Sequence, residues 1–113
     1  MSTLRNKVQL IGNLGSDPDV KTLENGSKMV KFSLATNDSY KNAKGEKITE
    51  TQWHNIVIWG KTAEIAEKYA KKGKEIGLEG KLSNRSYEDS EGQKKYITEV
   101  IAHELLLLGG KEK

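Results

Sequence analysis

Apolar and polar residues alternate with period two over most of this chain and switch to helical spacing once. Val8, Leu10 and Gly12 alternate with Gln9 and Ile11, which predicts a strand buried on much of both faces. Gly12-Asn13-Leu14-Gly15 then predicts a bulge or tight bend, with Pro18, the sole proline, just beyond. Over Met29–Thr36, Val30, Phe32 and Leu34 point inward while Lys31 and Ser33 point outward. Asn37–Glu50 is polar, carries Lys41, Lys44, Gly45 and Lys47, and predicts a flexible hairpin loop. Thr51–Lys61 reads as a strand rich in β-branched and aromatic residues. From Thr62 to Lys72 the period changes: Ala63, Ile65, Ala66, Tyr69 and Ala70 mark a helix, with Gly73 as its stop and Lys71 and Lys72 complementing its dipole. Glu75–Leu82 returns to strand, the turn Glu88–Gly92 separates Leu82–Tyr87 from Tyr96–Ile101, and the last strand runs to about Leu108.

About five strands with one short helix between the third and fourth predict a mainly β domain. The class is the OB-fold, a five-stranded Greek-key barrel. Residues 1–108 form this domain and 109–113 a frayed tail. A chain of 113 residues is one domain by length.

The strand around Trp53 carries the functional signal. Alternation places Trp53, Asn55, Val57 and Trp59 on one face and His54, Ile56 and Ile58 on the other. The second face suits a core. The first holds both tryptophans of the chain, about 20 Å apart at ~3.3 Å per residue. Two readings are open for them: a binding surface, or a second small core or oligomer contact.

Charge sharpens the first reading. The formal net charge is +3, and residues 61–74 hold five lysines against two glutamates. Tyr40 and Tyr87 add aromatics near Lys31, Lys61, Lys72 and Arg85. Every base offers a π-face to an aromatic ring and every phosphate calls for a cation, so this mixture fits single-stranded nucleic acid. Lys7, Lys21, Lys31, Lys61 and Lys72 are the expected backbone contacts, with Trp53, Trp59, Tyr40 and Tyr87 as stacking residues; for Arg85, beside Tyr87, two roles are open, clamping a phosphate or stacking on a base.

Other chemistries find little support. The chain has no cysteine, which removes disulfides and thiolate sites and fits a reducing compartment. His54 and His103 are far apart in sequence, short of the three or four ligands a metal needs. Facing away from the Trp surface, they suit the core or a subunit interface. No nucleophile elbow, Walker loop or zinc-protease motif occurs, so no enzyme activity and no cofactor is expected. No apolar run approaches the roughly 20 residues of a membrane span, and no targeting presequence opens the chain, so a cytoplasmic location is expected.

Asn6-Lys7-Val8, Gly12-Asn13-Leu14-Gly15-Ser16-Asp17-Pro18, Leu34-Ala35-Thr36, the run from Trp53 to Lys61, Tyr69-Ala70-Lys71-Lys72-Gly73 and Glu79-Gly80-Lys81-Leu82 occur in that order. Together they resemble bacterial single-stranded DNA-binding proteins, and the resemblance covers about Asn6 to Gly110. It implies an OB-fold homotetramer wrapped by single-stranded DNA, serving replication, recombination and repair. It implies that Trp53 is the main stacking residue and that Trp59 stands where the family usually has phenylalanine. Tyr40 and Tyr87 stand where many members carry tryptophan, Lys61 and Lys72 match DNA-contacting positions, and His54 matches a histidine near the subunit interface. Family members commonly continue into a disordered linker and an acidic tip that recruits repair enzymes. This sequence stops at Lys111-Glu112-Lys113, which implies either a shortened piece or a short form without that recruitment. An RNA-binding OB module and a protein-assembly OB domain are the competing readings, and the ordered motif set argues against both.

Overall fold

The computed structural model describes residues 4–108; the expected tail, 109–113, lies outside them. The elements are β1 (Val8–Leu14), β2 (Asp19–Thr22), β3 (Lys28–Lys41), β4 (Lys47–Trp59), α1 (Gly60–Tyr69), β5 (Glu75–Glu88) and β6 (Lys94–Leu107). The strands run in the order β1-β5-β6-β4-β3, and β1 closes the barrel on β3 through Asn13↔Ala35 and Leu14↔Leu34. β4 and β6 are parallel and every other pair is antiparallel. This is the five-stranded OB barrel.

Val30, Phe32, Leu34, Ile56, Ile58, Ile76, Leu78 and Val100 fill the barrel. They are the inward positions of the period-two pattern. Ala63, Ala66 and Ala70 present the buried side of α1 to them. Closure demands close strand approaches: a side chain at Gly12 would strike the Ala35 carbonyl, and one at Gly80 the Ile101 carbonyl.

Four expectations need correction. β2, a short strand paired outside β3, was not anticipated; it places the helix between the fourth and fifth strands in chain order. Its four residues are all exposed, so no apolar alternation marks it.

The expected flexible loop 37–50 is mostly paired strand. The β3–β4 ladder continues to Lys41↔Lys47, leaving only a tight turn at 42–46. The Asn42 side-chain carbonyl accepts the Lys44 and Glu46 N–H groups at 2.9 and 3.0 Å. Thr51 donates to Asn37 at 2.6 Å across the arm. This arm projects beyond the core, so its polarity reflects two wet faces and not a missing ladder.

The helix spans Gly60–Tyr69 and not Thr62–Lys72. It starts directly after Trp59 and ends where the Ala70 N–H bonds the Ala66 carbonyl at 2.9 Å. Lys71 and Lys72 therefore lie beyond it, and Lys68 is the basic residue in its last turn. Finally, β1 is not buried on both faces. Ile11 is 61% exposed, opposite Gly77 on β5.

Candidate nucleic-acid interface

The outward positions of β3, β4, β5 and β6 assemble into rows across the barrel. Ser33, Asn55, Glu99 and Ser83 form one row. Lys31, Val57, Ile101 and Lys81 form the next. Trp53 lies opposite Ala35, and Arg85 opposite Ile97, on the same outward face. At the other end, Trp59, Met29 and Lys21 share a row, because β2 pairs with β3. The unanticipated β2 therefore puts Lys21 in the row of Trp59, with Met29 between them.

Both tryptophans stand in solvent, Trp53 at 62% and Trp59 at 45% exposed. That excludes a second core within the chain. Val57 between them is 2% exposed yet belongs to the outward face, so the middle of the surface is a packed apolar floor.

Gly15 supports Trp53. A side chain there would run into the Trp53 ring edge and the Ser33 hydroxyl. The ring therefore lies across the backbone just after β1. Sequence reading took Gly15 only as a strand breaker; contact with a residue 38 positions away leaves no local mark.

The cations divide into free and engaged groups. Lys61 projects from the first turn of α1, exposed. Lys72 is exposed beyond the helix, where its backbone N–H donates to Asp17 at 2.9 Å and fixes the loop. Lys21 is exposed on β2, and Lys31 is half-buried beside the floor. Lys7 sits 3.8 Å from Glu79, on the β1–β5 side of the barrel and apart from the tryptophans.

Arg85 is paired with Glu99. Its Nε donates to one carboxylate oxygen at 3.0 Å and its Nη2 to the other at 3.2 Å. Glu99 is 7% exposed and is the buried charged residue among the described positions. The hydrogen bond and charge of Arg85, helped by Lys31, hold its carboxyl below the usual range against the opposing pull of burial. The same contact raises the Arg85 pKa. Sequence reading missed Glu99, since an acid on an outward strand position carries no sign of burial.

Tyr87 shares the outward face with Arg85 and is 47% exposed. Tyr40 is different. It is 48% exposed but has the phase of Phe32 and Leu34, opposite to Trp53, on the projecting β3–β4 arm. The structure thus groups Trp53, Trp59, Tyr87, Lys21, Lys31 and Arg85, and places Tyr40 and Lys7 apart from them.

His54 has the inward phase, is half-buried, and its Nε2 meets Thr36 Oγ1 at 3.0 Å. His103 is not a core residue. β6 makes a bulge there, pairing Glu104 with Glu79 and Ala102 with Gly80, so His103 is the extra residue, with a side chain 60% exposed. Its Nε2 lies 3.8 Å from Glu79, and the ligand-type atoms of Glu79, His103 and Glu104 lie within 4.8 Å of one another.

This barrel and surface have clear relatives. The sequence pattern of the Single-strand binding protein family matches residues 5–108. The chain belongs to that family. It is 44% identical over 108 residues to Single-stranded DNA-binding protein 1 of Chlorobaculum tepidum, covering 95% of this chain and 67% of that protein. The protein of the same name from Xylella fastidiosa is 45% identical over 108 residues, covering 95% of this chain and 79% of its own length. Among solved structures, the Plasmodium falciparum SSB complex with ssDNA superposes with a TM-score of 0.86 at 34% identity, covering 96% of this chain and 98% of that one. The family is one of binding proteins and not of enzymes. No helix among the described residues is long and apolar enough to cross a membrane.

Proposed function

We propose that this chain binds single-stranded DNA without regard to sequence and protects it during replication, recombination and repair, in the bacterial cytoplasm or nucleoid. The observation that carries this reading is the pair of exposed tryptophans on one barrel face, set among cations and backed by a filled core. Trp53 and Trp59 stack on bases, with Tyr87 and, from the hairpin arm, Tyr40 as further platforms. Lys21, Lys31, Lys61 and Lys72 meet phosphates. Arg85 belongs to the same face, and Lys7 joins only a strand that wraps past β1. The ssDNA complex of the Plasmodium relative supports this choice of ligand.

The working unit is a homotetramer. A closed four-subunit assembly of dihedral symmetry needs more than one self-complementary patch. Ile11 and Leu106, 61% and 60% exposed on the β1–β5–β6 side, supply apolar surface for one. His54 marks a second.

Intrinsic tryptophan fluorescence titrated with oligo-dT, oligo-U and duplex DNA tests the ligand. Selective quenching by oligo-dT is expected. Equal quenching by oligo-U would favour an RNA-binding module, and no quenching would favour a protein-assembly domain.

A further inference from the structure

We propose that Glu99 is a positioning residue of the single-strand-binding face. It fixes and neutralises Arg85, so that Arg85 meets a base as a planar stacking surface and not a phosphate as a free cation. The proposal rests on the reading of the Trp53 face given above.

The pair sits within that face. Arg85 and Glu99 are diagonal neighbours across β5 and β6, since Arg85 faces Ile97 and Glu99 faces Ser83. Glu99 adjoins Asn55 on β4, two residues along the same face from Trp53. A shallow hollow beside the pair is lined by Val57 and Ile97 together with Lys31 and Asn55. Its floor is apolar where a base could rest.

Three features point to stacking. Adjacent N–H groups of Arg85 bond to both oxygens of Glu99, and this fork fixes the guanidinium plane. The side chains differ in exposure, Arg85 at 47% and Glu99 at 8%, so the arginine covers the acid and still faces solvent. If Arg85 swung away to a phosphate, it would leave a buried carboxylate without its bidentate partner. Its charge is therefore committed within the protein, while its flat faces remain for a base. Lys31 lines the same hollow, makes no bidentate ion pair among the described residues and is the cation left for a phosphate.

The experiment measures oligo-dT affinity against salt for wild type, Arg85→Lys, Glu99→Gln and Trp53→Ala, with thermal melts to confirm folding. Arg85→Lys keeps the charge and loses the plane. Its binding should weaken by about tenfold, a typical loss for one stacked base, with the salt slope unchanged. Glu99→Gln is close in shape and should steepen the slope in log K against log salt by about 0.7, the value for one more phosphate contact on a single strand. Wild-type affinity in Arg85→Lys, or an unchanged slope in folded Glu99→Gln, would overturn the proposal. Should Glu99→Gln fail to fold, the Arg85→Lys result decides alone. Trp53→Ala separates the two readings. If it binds as wild type, the face assignment is wrong and this proposal falls with it. If it binds weakly while Arg85→Lys binds normally, only the role of the Arg85–Glu99 pair is wrong.

Discussion

The outer wall of the barrel has two regions that both expose apolar residues and differ in what surrounds them. Around Trp53 and Trp59 the large residues are aromatic and the neighbours include Lys21, Lys31 and Lys61. Around Ile11 and Leu106 they are aliphatic, and Glu79 and Glu104 share the surface. Aliphatic side chains offer no π-face to a base, and carboxylates repel phosphates. The second region suits another protein surface, whereas the first suits a polyanion with flat bases. Exposure by itself marks a surface for use; the flanking charge and ring chemistry decide for what.

The sharpest break in this comparison is a lysine on the aliphatic side. Ile11→Lys removes about 1.5–3 kcal/mol of apolar burial per interface copy and adds a charge to be desolvated. Light scattering at micromolar concentration should show four-subunit assembly in wild type and smaller species in the variant, while tryptophan quenching by oligo-dT persists. A wild-type monomer would end the assembly reading, and His54→Tyr should loosen the same assembly less completely.

On the aromatic side, Trp53→Ala should weaken oligo-dT binding by about 1–3 kcal/mol with the melting temperature near wild type, the magnitude general to OB domains of this kind, this family included. Unfolding of this variant, with normal affinity in the folded fraction, would make Trp53 structural. Gly15→Ala sharpens the point, because it pushes on the Trp53 ring without touching the indole chemistry. A loss of about 1 kcal/mol with shifted tryptophan emission is expected, smaller than the loss on deleting the ring. Unchanged emission and affinity would show that the ring needs no support from Gly15.

Lys61→Ala and Lys72→Ala should each flatten the salt dependence by about 0.7 or less in log K against log salt. A flat dependence in wild type would remove the phosphate contacts altogether. The smallest effect concerns acid. Arg85 holds the folded Glu99 carboxyl below its ordinary value of 4.5, so the unfolded chain binds this proton more readily. The pair's contribution is complete above the ordinary carboxylate range and is lost as pH falls through the depressed folded value. Melting temperatures of wild type and Glu99→Gln should accordingly converge on acidification; a constant gap would mean that the carboxylate charge is not the stabilising group.

Local pattern was enough for much of this. The alternation in Met29–Thr36 and Trp53–Trp59 separates core from surface with Val57 the exception, buried although it lies on the outward face, because a strand buried on one face must carry its apolar residues at every second position. The helix period between Ala63 and Ala70 is real for the same reason, although its ends shifted to where the Trp59 backbone and the Ala66 carbonyl allow. Local pattern failed at the β3–β4 arm, where neither face is buried. There, side-chain bonds such as Thr51 to Asn37 support the ladder and leave no hydrophobic signature.

The sequence by itself determined the barrel class, the core side of the strands around Phe32 and Ile56, and the placing of both tryptophans on one face, since these follow from periodicities within single elements. Only the tertiary structure decided which outward residues become neighbours. It set Lys21 in the row of Trp59 through β2, Gly15 beneath the Trp53 ring, Glu99 under Arg85, and Tyr40 on the opposite phase of its arm. The reason is register. Barrel closure and strand pairing join positions tens of residues apart, and a one-residue slip would turn each of those side chains to the other face.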